Sequence, residues 1–287
     1  KHKLTTLADY AKERFDSKFL SLLIAIVGVL MLIPYIDLQL AGIQDTLTVA
    51  GTGFINVKVV VILSFLLVAL YTFFSGIKGP TYTAIIKDIL VWVIMLFLVV
   101  SLPIMHFGGW GSMMDKLVTD SPQLLTIPEA GPKGMPWFIT ASLVSGLALF
   151  MWAHAATGVF TAKSADALRK NAIFLPLYNI VLILVIFLGF VAFHVLPEGS
   201  DPRFALLNLI QMSYGGVVQG LAYSTIALAS LIPCSIMAIG ASNLFANNIY
   251  RDFINPKVKP AKLTMITRSM VFVVIGLALI FGMLFPT

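Results

Sequence analysis

The chain has 287 residues, 59% of them hydrophobic and 11% charged, and its mean hydropathy is +0.96. Nineteen basic and thirteen acidic side chains cannot coat a 31.2 kDa soluble globule, in which about a quarter of residues are charged. An ordinary soluble enzyme, a disordered chain and a disulfide scaffold are therefore excluded, and a polytopic membrane protein remains. The net charge of +6 falls in short clusters between hydrophobic runs. It lacks the aromatic-interleaved basic patch of a nucleic-acid surface and reads as a topology signal.

Residues 1–18 are polar, with Asp9, Glu13 and Asp16 too acidic for a signal peptide, and read as a loop of a larger protein. Seven runs then approach the roughly 20 apolar residues that a spanning helix needs: 19–42, 57–77, 82–104, 137–160, 171–196, 216–247 and 264–285. With residues 1–18 in the cytoplasm, 15 of the 19 basic residues fall on the cytoplasmic side, leaving Lys58, Lys116, Lys133 and Arg203 outside. That asymmetry obeys the positive-inside rule and predicts a multi-pass protein of the cell membrane. The long connection 105–136, rich in Gly and Pro, predicts a lid or short surface helices. The run LLNLIQM after PEGSDPRF predicts a short interfacial helix. The single cysteine, Cys234, allows no intrachain disulfide.

Polar groups inside the spans cost a few kcal/mol on insertion scales and usually face a cavity or a partner. Asp37, in IPYIDLQLAG with Pro34 and Gln39 beside it, reads either as a cation or proton site on a permeation path or as a solvated residue near the outer interface. His154, in FMWAHAATGVF, reads as a substrate-carboxylate or proton-coupling group, against the plainer reading of a packed histidine. Asp88 reads as a helix-start cap or ion-pair partner. Pro233 removes a backbone donor and frees a carbonyl near Ala229. Asn243, Asn247 and Asn248 read as an exit path or a helix cap. His2, His106 and His194 read as surface residues. No nucleotide-binding or hydrolase motif is present, and no His or carboxylate spacing suits a metal, so neither an enzyme nor a resident cofactor is expected.

Four segments, TLADYAKERFDSKFLSLLIAIVGVLMLIPYIDLQLAG (5–42), YTFFSGIKGPTYTAIIKDILVWVIM (71–95), AHAATGVFTAKSADALRKNAIFLPLYN (153–179) and LIPCSIMAIGASNLFANNIYRDF (231–253), resemble the sodium:solute symporter family. The Ile-Pro before the small-residue run, H-x-x-T-G and N-N-I-Y are most similar to its monocarboxylate permease branch. The resemblance implies an all-α polytopic membrane protein with the leucine-transporter-like inverted-repeat helix bundle, the seven spans standing for core helices 3 to 9. It implies a secondary active transporter for small organic anions such as pyruvate, lactate or acetate, working by alternating access in the lipid bilayer. A membrane sensor of the same fold, or a symporter of another small solute such as an amino acid, are the alternatives. Tyr35, Asp37 and Gln39 map onto helix 3, and His154, Thr157 and Gly158 onto helix 6 near its break; these are the candidate substrate path. The family's sodium-binding hydroxyl pair falls on Ile232 and Pro233, which carry no side-chain oxygen, while Ala229 matches a position giving a backbone carbonyl. The resemblance thus leaves the coupling ion open between Na+ and H+, with His154, Asp37 and Ala229 as candidate coupling residues. Partners beyond substrate and lipid, and any oligomeric state, stay unassigned.

Overall fold

A computed structural model describes residues 4–51, 56–129, 131–148 and 151–285, with the side chains of residues 57 and 58 also outside the description. His2 lies outside the described residues, as do residues 149 and 150 of the expected fourth span. Among the described residues the secondary structure is helical throughout.

Helix α1 (Leu7–Phe15) starts at a reciprocal cap: Thr6 Oγ1 accepts from the Asp9 N–H at 3.0 Å, and the Asp9 carboxylate accepts from the Thr6 N–H at 3.2 Å. It stops at Asp16, whose φ of 48° is left-handed, and Ser17 caps α2 (Lys18–Ala50) by accepting from the Leu20 N–H. Expected to end at 42, α2 runs to Ala50, because its buried stripe of Leu32, Ile36, Leu40, Ile43, Thr46 and Val49 continues at three- and four-residue spacing. Helix α3 (Val57–Ser75) follows, then α4 (Lys78–Phe107). Because α4 begins at Lys78, Asp88 sits in its third turn, too far in to cap it. The ion-pair reading survives, with Lys87 Nζ 2.6 Å from the Asp88 carboxylate.

Within the connection 105–136 lie the short helix α5 (Trp110–Asp120) and a 3-10 turn at Pro122–Leu125. The expected fourth span is two helices, α6 (Met135–Ala148) and α7 (Ala153–Thr161). The fifth is α8 (Ala165–Tyr178) and α9 (Ile180–Val195), parted at Asn179 three residues after Pro176, a kink-prone position. Helix α10 (Ala205–Ser213) matches the expected interfacial helix. Helix α11 (Gly216–Leu244) passes directly into a π-helical segment, Phe245–Ile254, and α12 (Pro260–Leu284) closes the order.

Six of these runs, Lys18–Ala50, Lys78–Phe107, Met135–Thr161, Ala165–Val195, Gly216–Ile254 and Pro260–Leu284, are long and apolar enough to cross a membrane. The seventh expected span, 57–77, is the shorter apolar helix α3. Their outward faces carry Phe19, Leu30, Ile62, Val93, Ile186 and Val273, large apolar side chains that only lipid or another apolar surface would cover.

The described chain forms two compact units. The first comprises residues 1–88, 150–169 and 226–287; its core joins Leu32, Ile36 and Leu40 of α2, Val68 of α3, Met237 and Leu244 of α11, and Val271, Ile275 and Ala278 of α12. Buried residues on opposing helices exclude both lipid and water, and at roughly 1.5–3 kcal/mol per large side chain their packing dominates this unit's stability. The second comprises residues 89–149 and 170–225. Here the Tyr223 hydroxyl donates to the Leu207 carbonyl at 3.2 Å, Trp110 meets Phe187 edge to face at 5.0 Å, and the Ser101 and Tyr214 hydroxyls bond each other. His106 is exposed as expected and bonds Ser213 at 2.8 Å. His194 departs from the surface reading: it is half-buried between Phe107 and Phe193, with Nε2 unpaired among the described residues.

Candidate functional site

The start of α7 organises the site in the first unit. Trp152 has extended φ and ψ of −61° and 128°, and its carbonyl accepts the first helical bond, from the Ala156 N–H at 2.9 Å. The small residues that follow let the start of this helix approach α11 closely at Gly240. A Cβ on Gly240 would come within 3.3 Å of the His154 Cα, so the backbones meet with almost nothing between them. That contact turns His154 towards α2, where the rings of Tyr35, Trp152 and His154 form a cluster with centroids 5.1, 5.8 and 6.0 Å apart. The imidazole Nδ1 is buried without a hydrogen-bond partner among the described residues. Leaving such a group unmet costs about 1–3 kcal/mol, a cost that a ligand offering a hydrogen-bond partner can relieve.

The other expected residues divide by helical phase. Gln39 lies one turn beyond Tyr35 on the same side of α2. Asp37, two positions from Tyr35, is rotated by roughly 200°; it is 8% exposed and faces α12, where its carboxylate occupies the space a Cβ on Gly282 would need. Asp37 and His154 are thus expected in one path and found on different faces of α2. Thr157 is buried and lines a cavity of about 330 Å³, its hydroxyl donating to the Ala153 carbonyl at 2.9 Å. Gly158 is exposed, meets nothing within 4 Å of a notional Cβ and does not line that cavity. Ala229 is half-buried in α11, also outside the cavity, one turn before Pro233, which has no N–H for its carbonyl.

The cavity is the feature that single-residue reading missed. Thr157 and Thr161 reach it from α7, Thr72 from α3, Asn243 from α11, Asn247 from the π-helical turn, and Thr264, Thr267 and Arg268 from α12. A signal was present: 157 and 161, 243 and 247, and 264 and 267 are polar pairs at three- or four-residue spacing, each making one polar helix face. Asn243 and Asn247, read as an exit path or a helix cap, both line this cavity. Asn248 does not: it is fully buried on the opposite side, accepting from Thr6 Oγ1 at 2.8 Å and donating to the Asp9 carboxylate at 2.8 Å.

That bond belongs to a polar clasp between α1 and the π-helical turn. Lys12 pairs with Asp252 at 2.6 Å, and Arg251 lies 3.4 Å from Asp9 while donating to Asn247 at 3.1 Å. Burial raises the pKa of Asp9, but hydrogen bonds from Thr5 and Asn248 and the Arg251 charge outweigh it and hold the carboxyl below its ordinary value. A larger cavity of about 600 Å³ in the second unit, between Phe193 and Ala205, is mostly apolar and contains none of the candidate residues.

The model of the sodium:solute symporter family matches residues 1–287. The chain is 81% identical over 286 residues to the uncharacterized symporter YodF of Bacillus subtilis (strain 168), covering 100% of this chain and 58% of that protein. It is 33% identical over 275 residues to the uncharacterized symporter YhjB of the same strain, covering 95% and 56%. It is 31% identical over 284 residues to a monocarboxylate transport permease protein of Rhizobium johnstonii (strain DSM 114642 / LMG 32736 / 3841), covering 96% and 56%. The chain therefore spans little more than half the length of the curated relatives it matches. Among solved structures, that of a Na+-coupled sialic acid symporter in a substrate-bound outward-open state superposes with a TM-score of 0.83 at 18% identity, covering 99% of this chain and 63% of that one. That likeness shows an all-α membrane fold of the leucine-transporter-like class.

Proposed function

The chain belongs to the sodium:solute symporter family, and on that premise we propose that it forms the core of a secondary transporter of small organic anions, short monocarboxylates in particular, at the cell membrane. The observation that carries the reading is the composition of the cavity wall. Among its described lining residues Arg268 is the one charged group, hydroxyls and amides supply the rest of its polarity, and no carboxylate is present. Such a wall favours an anion and disfavours a cation. The similarity to a monocarboxylate permease supports the same class. On the topology given by the basic residues, this cavity opens to the cytoplasm, and the Tyr35–Trp152–His154 cluster stands deeper in the membrane at the break before α7.

In this reading, alternating access delivers the substrate from the region of the ring cluster, past Thr157, into the cavity. His154, with an unpaired ring nitrogen, is positioned to bond the carboxylate or to exchange a proton with it. Ile232, buried, and Pro233 supply no hydroxyl for sodium at the family's usual position, so proton coupling is the proposed mode.

The test is uptake of labelled pyruvate, lactate and acetate into liposomes holding the full-length protein, under separately imposed sodium and proton gradients. Uptake driven by the proton gradient alone is expected. Uptake that requires sodium overturns the coupling assignment, and binding without flux replaces transport by sensing.

A further inference from the structure

Resting on that reading, we propose that the cavity is a release site selective for 2-hydroxy monocarboxylates, with Arg268 binding the carboxylate and the threonine oxygens accepting a hydrogen bond from the 2-hydroxyl. Arg268 projects from the third turn of α12 over the turn joining α3 and α4. A Cβ at Gly76, whose φ is a left-handed +57°, would lie 3.8 Å from the Arg268 Nη2. Arg268 makes no hydrogen bond or ion pair to any described residue, and the described residues lining the cavity include no carboxylate. A guanidinium at the mouth of a polar cavity, with its fork of donors uncommitted, matches the geometry of a carboxylate.

The hydroxyl preference comes from where the threonine protons go. Every threonine lining the cavity donates elsewhere: Thr5 to the Asp9 carboxylate at 2.7 Å, Thr72 to the Val68 carbonyl at 2.6 Å, and Thr157 to the Ala153 carbonyl at 2.9 Å. Thr161 donates to the Thr157 carbonyl at 2.8 Å, Thr264 to the Pro260 carbonyl at 3.1 Å and Thr267 to the Leu263 carbonyl at 3.0 Å. The oxygens can therefore accept from a ligand at no cost, whereas donating to an anion would break a bond already made. Asn247 is partly committed, donating to the Asn243 carbonyl and accepting from Arg251. Among the described lining side chains the uncommitted donors are Arg268, the amide of Asn243 and the second amide N–H of Asn247, and the threonine oxygens make the surplus one of acceptors. A plain carboxylate uses the donors alone; a 2-hydroxy acid uses both sets.

The experiment compares lactate with propionate, which differs by the missing hydroxyl, in counterflow from liposomes holding the full-length protein, with the ligand on the inside. The expected half-saturation for internal lactate is about tenfold lower than for propionate. Arg268→Gln should raise the internal value for lactate by about tenfold, with Arg268→Lys in between, while the external KM stays within about twofold. A wild-type protein that moves no monocarboxylate overturns the transport reading and the site with it. Transport with equal affinity for lactate and propionate overturns the site alone. So does an internal half-saturation for lactate that Arg268→Gln leaves unchanged. Should Arg268→Gln fail to fold, the wild-type lactate and propionate comparison still decides the hydroxyl assignment, and Arg268→Lys the charge.

Discussion

His154 and Asp37 are both ionisable groups within apolar segments, and their surroundings assign them different work. His154 sits against two aromatic rings with an unpaired nitrogen, while Asp37 is packed on the other face of α2 against Gly282. His154→Gln is therefore expected to lower proton-driven uptake by at least about tenfold with little loss of thermal stability. If uptake in the variant keeps its pH dependence, His154 is not the coupling group. Gly282→Ala is expected to destabilise the protein by about 1–3 kcal/mol, because the new methyl group takes the position of the Asp37 carboxylate; a melting temperature equal to that of the wild type in detergent would refute this contact. Each residue was visible in the sequence as a polar intruder. Which way each points was not, because two positions along a helix separate neighbours by more than half a turn and only the packing fixes the phase.

At the scale of elements, α1 is a nine-residue helix of low intrinsic stability that owes its place to the clasp with the π-helical turn. Asn248 is its centre, fully buried and bonded to both Thr6 and Asp9. Asn248→Ala is expected to cost about 2 kcal/mol, since it strands the buried Thr6 hydroxyl and removes one donor from the half-buried Asp9, and to expose α1 to proteolysis; unchanged protease resistance would show that the clasp contributes nothing. The pH dependence has a definite sign. The Asp9 carboxyl is held below its unfolded value, so in the acid range the native clasp binds fewer protons than the free chain. Its contribution is present above about pH 4 and is lost as the pH falls below that. Hydrogen exchange of α1 should accordingly rise relative to the rest of the protein on acidification, and Asp9→Asn should abolish that difference. The sequence displays the Thr6-to-Asp9 cap as a local signal, but the polar partners of the clasp lie some 240 positions away and could be found only in three dimensions.

For the whole molecule, composition, span lengths and the distribution of lysine and arginine were sufficient for a multi-pass helical membrane protein, because the bilayer imposes one coarse rule that any sequence must meet. The order of short motifs was sufficient for the family. Where the chain breaks its spans was less legible: the segments 137–160 and 171–196 have unbroken hydropathy, yet each is divided into two helices. Hydropathy records that a segment avoids water, and it does not report local backbone turns such as those at Trp152 and Asn179. The cavity itself needed tertiary structure, since its wall draws single residues from α3, α7, α11, the π-helical turn and α12. Local composition and the order of short motifs thus fix the solvent of each segment and the membership of the family. The tertiary structure alone decided that Arg268 shares a polar wall with Thr157 and Asn243 while Asp37 turns away from it, because helix phase and long-range packing, rather than spacing along the chain, bring groups together.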